Sequence, residues 1–132
     1  MVTNKVMIVE DDKLLAIVEE RLVKCLGYEV VGVASSGEEA IEKIDSFAPD
    51  ILIMDVQLDG DMDGIDTVTE LRNRNYNVPV IYISGDQSEE IKNRANNAGM
   101  VDFLLKPVST NGLLEPLKQA QKMANKLSTF AA

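Results

Sequence analysis

Histidine is absent from the 132 residues. That absence removes imidazole acid–base catalysis, histidine metal sites and any phosphohistidine within the chain itself. The single cysteine, Cys25, rules out an internal disulfide and fits a reducing cytoplasm. It falls on the apolar side of a helical pattern, where a buried structural thiol is expected. No apolar run approaches the roughly 18 residues that would span a bilayer. The start, MVTNKVMIVEDD, has neither the basic beginning nor the small-residue cleavage site of a signal peptide. Basic residues are few and scattered. Thirteen Lys and Arg against 22 Asp and Glu leave a net charge of −9, which opposes direct binding to nucleic-acid phosphates. Repeats, low-complexity tracts and linkers are missing too.

What is present suits one globular domain, 45% hydrophobic and 27% charged. Residues 1–127 are expected to form the domain and 128–132 a loose tail. Short apolar runs alternate with helical patterns: KVMIV (5–9), YEVVGVA (28–34), ILIM (51–54), VPVIYIS (78–84) and DFLL (102–105) read as strands. Leu15, Val18, Leu22 and Cys25/Leu26 mark a first helix, closed by Gly27. Ser36 and Glu39 form a capping box for a second helix carrying Ile41, Ile44 and Ala48. Ile65, Val68 and Leu71 mark a third, and Ile91, Ala95 and Ala98 a fourth. Leu113/Leu114, Leu117, Ala120, Ala124 and Leu127 line a fifth, with Pro116 expected near its first turn. ILIM and VIYI are apolar at successive positions, so both faces of those strands need covering. That requires a parallel sheet with helices on either side, a doubly wound α/β sandwich of (βα)5 type.

In such sheets ligands bind beyond the carboxyl ends of the strands. The first strand ends in Glu10, Asp11 and Asp12, the third in Asp55, the fourth in Ser84 and the fifth in Lys106. Helix capping accounts for Asp12, but not for a Lys directly after FLL or an Asp directly after ILIM. Converging Glu10, Asp11 and Asp55 repel: two charges ~4 Å apart cost about 4 kcal/mol at an effective dielectric near 20. A retained proton or a bound cation relieves this, and carboxylates without His or Cys favour magnesium, manganese or calcium. Magnesium commonly joins carboxylates to phosphate, which makes Asp55 a candidate nucleophile forming an acyl phosphate. Lys106, the Ser84 hydroxyl and the metal would then neutralise the phosphoryl oxygens, with Gly85 leaving room for their approach.

The runs VMIVEDD, ILIMD, YISG and FLLKP, in that order and at strand ends, resemble the receiver domain of bacterial and archaeal two-component response regulators over nearly the whole chain. The resemblance implies a flavodoxin-like sheet of order 2-1-3-4-5. It implies that Asp11 ligates Mg2+ directly, with Mn2+ or Ca2+ as substitutes, and that Glu10 acts through water. Asp55 matches the phosphoacceptor, and Gln57 stands where a backbone carbonyl serves the metal. Ser84 matches the switch hydroxyl, Phe103 the aromatic that reports phosphorylation, and Lys106 the conserved-role lysine, with a cis Lys106–Pro107 peptide. A histidine kinase or histidine phosphotransfer protein is the implied donor. The surface of the fourth helix, fifth strand and fifth helix is the implied contact for a protein partner, or for a homodimer on phosphorylation. Self-phosphorylation and autodephosphorylation are the only reactions implied, with no membrane and no direct nucleic-acid contact; output is expected through protein contact. The stretch from Asp55 to Asp63–Gly64 is one residue longer than the commonest spacing and lacks the usual Pro. That affects the expected role of Gln57, and the acids Asp59, Asp61 and Asp63 oppose an anionic donor.

DGDMDGIDTVTE (59–70) also fits a twelve-residue calcium loop, with Asp59, Asp61, Asp63, Gly64 and Glu70 in ligand and turn positions. A strand precedes it where a helix is needed, Asp66 takes the usual apolar eighth position, and there is no second loop. The match is therefore expected to be accidental. An alternative is a Mg2+-dependent phosphohydrolase with an Asp nucleophile, although EDDK lacks that class's D-x-D order. A flavodoxin-like carrier would need a Ser/Thr/Gly-rich phosphate loop in place of the anionic EDDK.

Overall fold

The structure, a computed structural model, describes residues 3–127 and the backbone of the last helix to Ala131. The expected loose tail at 128–132 otherwise lies outside the described residues. The order of elements is β1 (Lys5–Val9), α1 (Lys13–Cys25), β2 (Glu29–Ala34), α2 (Gly37–Phe47), β3 (Ile51–Asp55), α3 (Gly64–Asn73), β4 (Val80–Ser84), α4 (Glu89–Ala98), β5 (Asp102–Leu105) and α5 (Thr110–Ala131). All strand pairs are parallel and the sheet runs β2-β1-β3-β4-β5.

Every residue of β3 and β4 is buried, as runs of successive apolar residues require. Alternate side chains feed two cores. Met7, Val9, Leu52, Met54, Val80 and Tyr82 face α2, α3 and α4; Val6, Ile8, Ile51, Ile53, Ile81 and Ile83 face α1 and α5. Each such side chain contributes about 1.5–3 kcal/mol of burial free energy. The chain moves outward from β1 to β2 and returns past β1 to β3. A crevice therefore opens between the carboxyl ends of β1 and β3. The sheet order agrees with the expected 2-1-3-4-5.

Three details of the sequence reading are corrected. The buried face of α1 is Ala16, Glu19 and Val23, while Val18 is 43% exposed and Cys25 is exposed. Two stripes overlap in KLLAIVEERLVKC, and the helix seats the one with small Ala16 against the sheet. Leu22 and Leu26 pack at the edge of that core, and Leu14 and Ile17 remain outside. At α2, Ser36 accepts from Glu39 N–H, but Glu39 reaches back to Ser35 N–H instead of completing a box with Ser36. The complete capping box belongs to α3, between Asp63 and Asp66. Pro116 lies inside α5, one turn beyond its expected place. Among the described residues no helix is long and apolar enough to cross a membrane.

Candidate functional site

Parallel pairing brings the ends of β1, β3, β4 and β5 to one rim, and the polar residue that follows or closes each strand is delivered there. Glu10 continues the β1 line, with its N–H donating to Ala34 O at 3.0 Å. Asp55 and Ser84 close β3 and β4 with no exposed surface, and Lys106 follows β5. Lys106 Nζ lies 2.9 Å from Asp55 Oδ2 and 3.0 Å from Glu10 Oε1. Glu10, Asp11 and Asp55 each bring a carboxylate oxygen within 4.8 Å of the others. The expected convergence is present.

Around this centre the backbone fixes each acid. Asp12 caps α1 through Leu14 and Leu15 N–H, and its own N–H donates to Glu10 Oε2 at 3.2 Å. Asp11 Oδ2 accepts Asp59 N–H at 3.1 Å, which ties the longer β3–α3 loop across the crevice. Gln57 N–H donates to Asp55 Oδ1 at 3.1 Å. Gly64 lets that loop return closely: a Cβ there would stand 2.0 Å from the Asp55 carbonyl oxygen. The Lys106–Pro107 peptide is cis.

The charge balance is unfavourable without more cations. Burial pushes Asp55 up to about 7; Glu10 adds to the rise and Lys106 opposes it. Burial also works against ionised Glu10. Its interactions with Asp55, Glu19 and Lys106, and the Asp12 amide, nonetheless hold it below its usual value. Asp11 is raised, first by burial, then by neighbouring Glu10 and Asp59 against the Asp59 N–H bond. For Lys106, burial favours loss of the proton, but Asp55 and Glu10 outweigh it and raise the pKa.

Glu10 Oε1 is buried without an aligned hydrogen bond, although Lys106 sits nearby as an ion pair. Three carboxylates that share the single Lys106 ammonium leave excess negative charge at the rim, which fits a hard divalent cation. Carboxylate oxygens with no His or Cys suit Mg2+, Mn2+ or Ca2+.

Sequence reasoning missed Glu19. It sits on the buried face of α1, 3% exposed, close enough to Glu10 for the two carboxyls to interact, and its Oε1 has no hydrogen-bond partner among the described residues. Burial first and the adjacent Glu10 second push it up to about 9, so it is protonated at neutral pH. Its only sequence signal was its i+3 and i−4 relation to Ala16 and Val23, obscured by Glu20 beside it. Gln57 was assigned a backbone role, yet its side chain also acts: Oε1 accepts from Ser84 Oγ at 2.9 Å. Phe103 is half-buried against the core, its ring centroid 6.3 Å from that of Tyr82.

Two of the calcium-loop acids are engaged elsewhere, Glu70 in a 3.8 Å pair with Arg74. Asp63 caps α3 and, with Asp66, pairs with Arg94 of α4 at 3.0 and 3.2 Å. Glu10, Asp11 and Asp55 form the acid cluster found among the described residues, and none of them belongs to 59–70.

Comparison with known proteins identifies the family. Residues 6–118 match the response regulator receiver domain. Over 119 residues the chain is 32% identical to the chemotaxis protein CheY of Thermotoga maritima, covering 90% of this chain and 98% of that protein. It is also 32% identical to the transcriptional regulatory protein PdtaR of Mycobacterium tuberculosis, spanning 90% of this chain but only 57% of that one. A CheY-like receiver domain from Methanospirillum hungatei superposes with a TM-score of 0.83 at 26% identity, covering 93% and 97% of the two chains. A parallel sheet of this order, an acid cluster at its β1–β3 crevice and a match across most of the length have one common explanation: the chain belongs to the response regulator receiver domain family of two-component signalling.

Proposed function

We propose that Asp55 accepts a phosphoryl group from a phosphohistidine on a histidine kinase or histidine phosphotransfer protein. The observation that carries this reading is the placement of Asp55, paired with Lys106 at 2.9 Å and facing Glu10 and Asp11. In the transfer the donor's P–N bond breaks as an Asp55 O–P bond forms, and the imidazole leaves with its proton supplied by solvent. Glu10, Asp11, Asp55 and the backbone carbonyl of Gln57 would hold Mg2+, which supplies charge neutralisation to the phosphoryl oxygens. Lys106 neutralises a second oxygen and stabilises the ionised form of Asp55 that attacks. Ser84 and the Gly85 N–H face a third. Leu14, Ile17 and Val18, exposed on α1 beside the crevice, offer the donor an apolar surface.

Phosphorylation would draw Ser84 inward and Phe103 with it, selecting one of two arrangements of the α4-β5-α5 face. Leu105, Met123 and Leu127 are exposed on β5 and α5, where a protein partner or a second copy would bind. Incubation with acetyl phosphate and Mg2+, followed by intact mass, should add one phosphoryl group to the wild type and none to Asp55→Asn. No addition under conditions that label a known receiver would end the proposal. Steady turnover of phosphate esters would favour the phosphohydrolase instead.

A further inference from the structure

The buried hydroxyl of Ser84 already has an acceptor. Gln57 Oε1 lies 2.9 Å from Ser84 Oγ and 3.4 Å from the backbone nitrogen of Gly85. Those two donors belong to adjacent residues at the end of β4, the strand paired with the one that ends in Asp55. Residue 57 also touches the acceptor itself, its N–H donating to Asp55 Oδ1 at 3.1 Å. One residue therefore bridges the phosphate-accepting carboxylate and the hydroxyl that must respond to it.

Ser84 has a single proton to give. Its Oγ lies 2.9 Å from both Gln57 Oε1 and the Asp86 carbonyl, and it accepts Asp86 N–H, again at 2.9 Å. Only the oxygen of a carboxamide can accept from Gly85 N–H, which sets the orientation of the Gln57 amide. Ser84 is fully buried, whereas Gln57 is exposed. The hydroxyl therefore depends on protein acceptors, while the glutamine can return to water when displaced.

We propose that the Gln57 carboxamide is an internal stand-in for a phosphoryl oxygen. It holds Ser84 and Gly85 in the unphosphorylated arrangement and must leave before they can engage a group on Asp55. The inference rests on Asp55 as the acceptor. Its consequence is a bias in the equilibrium: losing one neutral hydrogen bond shifts a two-state population by roughly two- to tenfold. Reach matters as well as polarity. Methionine has the same length without the acceptor, and glutamate keeps an acceptor at that reach.

The test compares wild type with Gln57→Met and Gln57→Glu. Beryllofluoride with Mg2+ serves as a tetrahedral phosphoryl analogue whose affinity is independent of acyl-phosphate hydrolysis. Calorimetry at saturating Mg2+ should show Gln57→Met binding beryllofluoride roughly two- to tenfold more tightly. In the unliganded proteins, exchange of the Gly85 amide with solvent, followed by NMR, should quicken in Gln57→Met and stay near wild type in Gln57→Glu. Equal beryllofluoride affinity with unaltered Gly85 exchange overturns the proposal. Failure of every variant to bind beryllofluoride would count against Asp55 as acceptor, and the exchange measurement, which needs no ligand, would still decide the role of Gln57.

Discussion

Replacing Glu19 with glutamine should remove a fall in stability that the wild type shows as pH rises. In the unfolded chain this carboxyl loses its proton near its ordinary value of 4.5, whereas in the folded protein it holds the proton to about 9. Between those values the unfolded state binds fewer protons than the native state, so stability declines with pH. The slope approaches about 1.4 kcal/mol per pH unit. From pH 5 to pH 8 the loss attributable to Glu19 is thus on the order of 4 kcal/mol, an upper figure for an isolated buried acid. Glutamine is neutral throughout, nearly isosteric, and still able to donate to Glu10. The two proteins should be within about 1 kcal/mol of each other at pH 5, with Glu19→Gln more stable by about 2–4 kcal/mol at pH 8. Urea unfolding followed by far-UV circular dichroism, in EDTA so that no divalent cation intervenes, measures both slopes. Parallel pH profiles would refute a protonated carboxyl beneath Glu10.

Removing the amino group in Lys106→Ala leaves Glu10 and Asp55 facing each other without their cation. It should cost about 1–3 kcal/mol at pH 8 and less at pH 5, read as thermal melts that Mg2+ partly restores. The Asp55 proton, held to about 7, competes with a cation for the same oxygen. Calorimetric Mg2+ affinity should therefore rise from pH 6 to pH 8 by up to about tenfold, and a flat response would contradict the raised carboxyl. Gly64→Ala places a Cβ 2.0 Å from the Asp55 carbonyl and should cost about 1–3 kcal/mol in urea titrations. Gly85→Ala meets nothing within 4 Å and should stay within about 0.5 kcal/mol of wild type.

Strand and helix content was legible because hydrophobic period and cap chemistry are local. ILIM and VIYI could only be strands covered on both faces, and the charged or polar residues at the strand ends announced one rim of a parallel sheet. Four separated runs in the family's order carried the resemblance that the comparisons support. The calcium-loop match could be dismissed on local grounds too, since a strand precedes it. What misled was also local. Leu15, Val18 and Leu22 make the richer apolar stripe in α1, yet the helix turns Ala16, Glu19 and Val23 inward. Burial on a helix is settled by what it packs against, and the pattern cannot supply that.

By itself, then, the amino-acid sequence determined the α/β architecture, the sheet's layered cores and the identities of the acids and the lysine at the rim. Each of these follows from periodicity or from position at a strand end. Only the tertiary structure decided that Glu19 lies beneath Glu10, that Gly64 must lack a side chain against Asp55, and that the Gln57 amide sits on Ser84. Those relations join residues brought together by crossovers and loop returns, and a distance across the sheet leaves no period in the chain.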